Sequence, residues 1–191
     1  FLLFDLSKTY VQFIRDDLEQ GSVQKVLYEC YLTGITLLAP FLPFVTEKIS
    51  LDVFHKESIH LEMWPVVNET FVDEEFEESM NMCLALLQVI MAVRDKEKVN
   101  VRWPLEKAVV YVHEKYHGLS EKLAGFLPLL LKHANVKHIQ FVETTASFSN
   151  GDHTVSFVYG SVVLDLAVTK ALEEEGFARE IMRRVQVLRK D

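Results

Sequence analysis

The spacing of apolar residues changes once along this chain of 191 residues, and that change limits the folds open to it. Up to about residue 98, apolar residues recur every three or four positions, which is typical of helices with one buried face. After Pro104, residues 108–112 (AVVYV) and 139–142 (IQFV) form short β-like runs. The sequence therefore predicts a mainly α fold, with a helical bundle over residues 1–98 followed by a small α+β module over residues 99–191.

Local signals divide each part into elements. Gly21 closes a first helix and Ser22 is the expected cap of a second, which Pro40 and Pro43 then end. A long helix is predicted to start near Asp73, where acidic residues suit the positive end of the helix dipole. Its expected buried face consists of Met80, Leu84, Leu87, Ile90 and Met91. In the module, residues 154–158 and 162–166 are predicted to form a hairpin.

The last sixteen residues predict a basic amphipathic helix. Between Gly176 and Asp191 there are five basic and two acidic residues, although the whole chain has a net charge of −8. The helix also carries an apolar stripe: Phe177, Ile181, Val185 and Leu188. No helix stop signal follows the stripe, and the amino end begins inside an apolar pattern. We therefore expect a truncated last helix, a cut amino end, and a larger parent protein.

Composition excludes several classes of protein. Two distant cysteines provide no disulfide framework and favour a reduced, cytoplasmic protein. No apolar run reaches the length of a membrane span, and no signal peptide is recognisable. A net charge of −8 argues against a nucleic-acid surface over the whole chain, but it is compatible with a local basic face.

Catalytic and metal-binding patterns are not found in the sequence. There is no phosphate-binding loop, dinucleotide fingerprint, nucleophile elbow or zinc-protease motif. The seven histidines are scattered, and the absence of a Cys-x-x-Cys unit argues against zinc. We therefore predict no catalytic residue and no metal ligand in this chain.

Basic and aromatic residues instead predict contact with RNA. Arginine can hold phosphate oxygens with two hydrogen bonds, and aromatic rings can stack on unpaired bases. The candidate residues are Lys8, Arg15, Arg94, Arg102, Trp103, Arg179, Arg183, Arg184, Arg189 and Lys190. For Trp103 taken alone, core packing beside Pro104 is the favoured role. The terminal arginines could also pair with glutamates one helical turn away and bind no ligand.

Five segments together resemble one family of proteins. Residues 5–10 (DLSKTY), 38–49 (LAPFLPFVTEKI) and 58–65 (SIHLEMWP) resemble anticodon-binding domains of the class I isoleucyl-, valyl- and leucyl-tRNA synthetases. Residues 101–105 (VRWPL) and 174–186 (EEGFAREIMRRVQ) resemble the isoleucyl-tRNA synthetases in their archaeal and eukaryote-like form.

The resemblance implies a function for the chain within a larger enzyme. Such enzymes are cytoplasmic ligases that join isoleucine to its tRNA with ATP and Mg²⁺, which their catalytic domain binds. The signature motifs of that catalytic domain are absent from this sequence, so this chain is expected to hold no cofactor. Its expected partners are isoleucine tRNA and the remaining domains of the synthetase, with no membrane and no DNA. Two alternatives stay open: a scaffold whose last helix packs on other protein, and the equivalent region of a valyl-type enzyme.

Overall fold

The computed structural model describes residues 1–144 and 154–189. Its contacts group into two compact units, Phe1–Val72 and Asp73–Asp191. The first unit is helical, whereas the second combines helices with a β-sheet. This architecture confirms the predicted mainly α fold followed by a small α+β module.

Prolines and a glycine set the helix boundaries of the first unit. Its main helices are α1 (Leu2–Tyr10 with wide π-helical turns, then Val11–Phe13), α2 (Gly21–Leu38) and α3 (Pro43–Ile49, then Ser50–Phe54). Helix α2 ends before Pro40, and Pro43 occupies the first turn of α3, where its missing N–H removes no helical hydrogen bond. Helix α2 begins two residues earlier than predicted, because Gln20 is extended and Gly21, which was predicted to close the first helix, is already helical. Ser22 therefore lies inside the first turn and is not the cap.

The core of the first unit is small. Its buried cluster consists of Ile35, Ala39 and Ile59. The carboxylate of Glu47 fastens α3 to the turn Ile59–Leu61, since its Oε2 accepts hydrogen bonds from Ile59 N at 2.9 Å and from Ser58 Oγ at 3.1 Å. Many large apolar side chains of this unit are exposed, among them Phe41, Phe44, Met63, Val66 and Phe71. The first unit therefore leaves much apolar surface uncovered.

The second unit opens with the long helix α4 (Glu74–Lys96). Asp73 caps it, since Oδ1 accepts a hydrogen bond from Phe76 N at 2.9 Å, and this confirms the predicted start of the helix. The buried apolar residues of α4 are Met82, Cys83, Leu86, Ile90 and Val93. Of the predicted buried face, Ile90 is fully buried, whereas Met80, Leu84, Leu87 and Met91 are only partly buried, because α4 carries apolar residues around much of its circumference.

The sequence was predicted to hold no apolar run as long as a membrane span, but by length and apolar composition alone α4 could cross a membrane. The core helix of a soluble protein meets the same two criteria. In this structure the buried face of α4 belongs to the main hydrophobic cluster of the second unit. This packing accounts for the apolar character of the helix.

Four strands form a mixed sheet in the described part of the second unit. They are β1 (Leu105–His113), β2 (Val136–Thr144), β3 (Thr154–Phe157) and β4 (Gly160–Leu164), in the order β2-β1-β4-β3. Strand β1 pairs in parallel with β2 and antiparallel with β4, which pairs antiparallel with β3. Helices α5 (Leu119–Lys122) and α6 (Leu127–Ala134) connect β1 to β2, and α7 (Lys170–Leu188) follows β4. The predicted strands and hairpin are confirmed.

The sheet and α4 share one core. Alternate residues of β1, namely Ala108, Val110 and Val112, are at most 2% exposed and lie in the same cluster as the buried face of α4. Helix α4 therefore belongs by packing to the second unit. For this reason the compact units divide between Val72 and Asp73, earlier than the domain boundary predicted at residues 98 and 99.

Candidate nucleic-acid interface

A glycine lets helix α7 pack closely against Trp103 of the same unit. A side chain at Gly176 would place its Cβ 2.2 Å from Cε3 of Trp103, so only glycine lets the indole lie this close to the helix. The ring of Phe177 meets the indole edge to face, with 5.3 Å between the ring centroids. Trp103 is thus a partly buried packing residue, as the core-packing interpretation of the sequence allowed.

Three arginines surround one carboxylate on the outer side of α7. Arg183 donates from Nη2 to Oε1 of Glu180 at 2.7 Å and from Nε to Oε2 at 3.0 Å. Arg184 donates from Nε to Oε1 at 3.2 Å, and Nη1 of Arg102 lies 3.6 Å from Oε2. We call Arg102, Arg183 and Arg184 the arginine cluster. Because one glutamate faces three arginines, the group keeps a net positive charge.

The arginine cluster lowers the pKa of the Glu180 carboxyl. Hydrogen bonds from Arg183 and then from Arg184 hold the pKa of the Glu180 carboxyl at about 2, well below its ordinary value. The arginine side chains remain accessible, with exposed fractions of 49% for Arg102, 41% for Arg183 and 74% for Arg184. Guanidinium groups of this kind can also donate two hydrogen bonds to a phosphate. The structure thus brings together three of the predicted RNA-binding residues.

Two other predicted arginines make contacts within the second unit, and one of them is buried. Arg94 is 1% exposed, and its guanidinium donates to the carbonyl oxygens of Trp103 at 3.0 Å and Asn135 at 2.8 Å. Burial lowers the pKa of Arg94 to about 10. We therefore remove Arg94 from the candidate RNA contacts. Arg179 donates to Oδ1 of Asn135 at 2.8 Å and to Glu175 at 2.7 Å, so it fastens α7 rather than joining the cluster.

The remaining candidates are Lys8 and Arg15 in the first unit, Arg189 after α7, and Lys190. Lys8 and Arg15 belong to the first unit and are exposed, and the ammonium of Lys8 lies 4.9 Å from the ring centroid of Phe4. Arg189 is exposed just after the end of α7. Lys190 lies outside the described residues. RNA contact by Lys8, Arg15 and Arg189 stays a prediction.

Sequence reasoning missed the residues that organise the arginines. Glu180 was visible only as a possible intrahelical partner three and four residues before Arg183 and Arg184. Asn135 gave no local signal, since the residues that it joins lie more than thirty positions away. Glu175 was likewise unrecognised, although it accepts from Lys137 at 2.6 Å and from Arg179. Their roles depend on tertiary contacts.

The apolar stripe of α7 is exposed. Its residues Phe177, Ile181, Val185 and Leu188 have exposed fractions of 53%, 61%, 50% and 73%. Leu172 and Gly176 are the buried residues of this helix. The predicted stripe is therefore present on the helix surface, next to the arginines in sequence, and is not part of the core.

Comparison with known proteins identifies the family to which this chain belongs. A family model of the anticodon-binding domain of tRNA ligases matches residues 1–110, which is more than half of the chain. The chain belongs to the anticodon-binding domain family of tRNA ligases. The match extends across the end of the first unit, through α4 and into β1.

Individual relatives narrow the similarity to one kind of synthetase. The isoleucine–tRNA ligase of Methanosarcina mazei is 35% identical over 123 residues, which cover 58% of this chain and 12% of that protein. The isoleucine–tRNA ligase of Methanopyrus kandleri is 32% identical over 154 residues, covering 75% of this chain and 14% of that protein. The enzyme of the same name from Pyrococcus furiosus is 24% identical over the whole chain and 24% of its own length. The predicted resemblance to isoleucyl-tRNA synthetases is confirmed.

Proposed function

We propose that this chain is the part of an isoleucine–tRNA ligase that holds the anticodon stem and loop of isoleucine tRNA. The chain spans only 12% to 24% of the length of the relatives described above. In this proposal the other domains bind ATP and Mg²⁺, activate isoleucine and attach it to the tRNA. This chain binds no cofactor, contacts neither membrane nor DNA, acts in the cytoplasm, and positions the tRNA for chemistry elsewhere.

The observation that carries the proposal is the arginine cluster around Glu180 of α7. It places three accessible guanidinium groups around a single carboxylate, so the site retains positive charge on an acidic protein. Phosphate contacts by arginine and lysine supply most of the affinity of proteins for RNA backbones, and they do so without reading bases. The cluster is therefore suited to holding the backbone of the anticodon stem.

A salt-dependent titration tests this function. The chain is titrated with isoleucine tRNA and with valine tRNA at several salt concentrations, alongside Arg183→Glu/Arg184→Glu. We expect saturable binding with a higher affinity for isoleucine tRNA, and an affinity that decreases as the salt concentration rises. The variant should bind more weakly than the wild type, and the difference in affinity should become smaller at high salt. The slope of log affinity against log salt should fall by about 1 for each arginine–phosphate pair that the variant removes.

A matched control separates local contact from net charge. Lys25→Glu/Lys170→Glu changes the net charge equally, but both lysines are exposed and lie outside the arginine cluster. This control should bind nearly as the wild type does. Equal losses in both double variants would mean that only overall charge matters. Tighter binding of valine tRNA would favour a valyl-type parent.

The exposed stripe of α7 favours a second candidate function, that of a scaffold. Four large apolar residues are at least half exposed on this helix, and such surfaces commonly mark contacts with other protein. In the scaffold alternative, α7 docks on another domain of the parent and the arginines pair only with Glu180. A folded chain that binds neither tRNA, and whose Arg183→Glu/Arg184→Glu variant is destabilised, would support the scaffold.

A further inference from the structure

The arginine cluster is assembled from two separate segments. Arg183 and Arg184 lie on α7, whereas Arg102 lies in the loop between α4 and β1. Nη1 of Arg102 comes within 3.6 Å of Glu180 on α7. The geometry of the cluster therefore depends on how firmly this loop is fixed to the helix.

Asn135 links the loop to α7 through its side chain. Its Nδ2 donates to the carbonyl oxygen of Val101 at 2.7 Å, and its Oδ1 accepts from Nη1 of Arg179 at 2.8 Å. Asn135 is 8% exposed and has a left-handed backbone with φ of 50°, a conformation that asparagine tolerates better than most residues. One amide group thus bridges the residue preceding Arg102 and a residue one turn before Arg183.

Arg94 holds the same junction from the interior. Its guanidinium donates to the backbone oxygens of Asn100 and Trp103, which flank Arg102 in sequence, at 3.4 and 3.0 Å. It also donates to the backbone oxygen of Asn135 at 2.8 Å. These hydrogen bonds tie the loop and Asn135 to α4.

Gly176 completes the junction by close packing. Its lack of a side chain lets the indole of Trp103, the residue after Arg102, lie against α7. A Cβ at position 176 would fall within 3 Å of both Cε3 and Cζ3 of that ring, so either the indole or the helix would have to shift. The loop and the helix are therefore held together by both a hydrogen-bonded contact and a packing contact.

We propose that Asn135 and Gly176 are positioning residues for RNA binding, which hold Arg102 beside Arg183 and Arg184 so that the three guanidinium groups act on one stretch of phosphate backbone. This inference rests on the proposed function. Neither residue contacts RNA itself. Each acts by fixing the distance between the loop and α7.

The packing contact is tested by Gly176→Ala, with Gly125→Ala as the matched control. A Cβ at Gly125 meets no atom within 4 Å. Affinity for isoleucine tRNA is measured over a range of salt concentrations, at a temperature where thermal unfolding shows every variant to be folded. We expect Gly176→Ala to weaken binding and to flatten the salt slope by about 1, as expected when one guanidinium no longer reaches its phosphate. Gly125→Ala should leave both quantities unchanged.

The hydrogen-bonded contact is tested by Asn135→Gly. Glycine accepts the left-handed backbone of this position without strain, so the substitution removes the amide and leaves the turn intact. We expect the same flattening of the salt slope as for Gly176→Ala. A purely structural role would lower the unfolding midpoint but leave the salt slope of the folded protein at its wild-type value, and that result would overturn the inference.

A variant of the cluster distinguishes this inference from the function on which it rests. In Arg102→Gln/Arg183→Gln/Arg184→Gln the guanidinium groups are absent, so adding Gly176→Ala should cause no further loss of affinity. If the triple variant binds as the wild type does, the proposed function fails. If the triple variant loses affinity while Gly176→Ala and Asn135→Gly bind normally, the proposed function stands and the positioning role is rejected.

Discussion

Arg94 and Arg102 illustrate how position decides the role of a residue in this protein. Arg94 is buried and donates to backbone carbonyl oxygens, while Arg102 is half exposed and faces Glu180. A buried guanidinium needs hydrogen-bond acceptors around it, because desolvation of the charge is costly. Arg94 therefore stabilises the junction, whereas Arg102 remains available to a phosphate.

Replacing Arg94 should destabilise the second unit. In Arg94→Met the backbone oxygens of Trp103 and Asn135 lose the hydrogen bonds from the guanidinium, and an unsatisfied buried acceptor costs roughly 1–3 kcal/mol. We expect a loss of about 3 kcal/mol in the free energy of unfolding. Urea unfolding followed by Trp103 fluorescence, in a Trp64→Phe background, measures it. The exposed Arg189→Met should change stability by less than about 0.5 kcal/mol, and an equally small effect at Arg94 would contradict the structural role.

Glu180 should make stability depend on acid pH. Its pKa is held at about 2 in the folded chain, below the ordinary value of a glutamate carboxyl. The stabilisation is therefore fully present above the ordinary carboxyl pKa of about 4.3 and is lost as the pH falls from there towards 2. The difference in unfolding free energy between the wild type and Glu180→Gln should be constant near neutral pH and should shrink below about pH 4. A difference that does not vary with pH would show that the carboxylate has no such role.

Glu180 should also weaken RNA binding, because it neutralises part of the arginine cluster. Glu180→Gln removes the negative charge but keeps a side chain of the same size, so we expect tighter binding of isoleucine tRNA and a steeper salt slope. Glu174→Gln is the matched control, since Glu174 lies on the same helix, is 70% exposed and pairs at 4.0 Å with Lys170. Weaker binding by Glu180→Gln would mean that the carboxylate aligns the arginines more than it competes with phosphate.

At the scale of elements, the sequence predicted helices and strands better than it predicted their orientation. The short β-like run over residues 108–112 and the paired hairpin segments were sufficient to place β1, β3 and β4. The sequence did not predict which side of α4 faces the core, because half-buried Leu84 and Leu87 are as apolar as buried Leu86 and Ile90. Likewise, the sequence pattern of α4 does not distinguish Arg94 from an exposed arginine. Arg94 is buried because the residues around Asn100 and Asn135 pack over it.

The start of α4 was predictable, because capping is a local interaction. Asp73→Ala removes the acceptor for the Phe76 amide and should cost about 0.5–2 kcal/mol of stability. Asp73→Asn should restore most of that loss, since asparagine caps helices nearly as well as aspartate does. Urea midpoints of the three proteins measure the effect. Equal destabilisation by both substitutions would point to the charge on the helix dipole rather than to the cap.

At the scale of the whole molecule, the two units differ in how much core each contains. The main cluster of the second unit draws on α4, α5, α6 and the sheet, with sixteen buried residues in the described part of that unit. The buried cluster of the first unit has three residues, and many of its aromatic and aliphatic side chains are exposed. Because stability depends on the apolar surface that folding removes from water, the second unit should be the more stable of the two.

Fragments cut at the two candidate boundaries should therefore behave differently. Residues 73–191 retain α4 and should fold cooperatively as an isolated protein. Residues 99–191, cut at the boundary predicted from the sequence, lack the buried residues Met82, Cys83, Leu86, Ile90 and Val93, which exposes one side of the sheet. Removal of so much buried apolar surface exceeds the marginal stability of a small domain, so this fragment should remain unfolded or aggregate. Amide hydrogen exchange of β1 distinguishes the outcomes. We expect slow exchange in residues 73–191 but not in residues 99–191, and slow exchange in both would support the predicted domain boundary after residue 98.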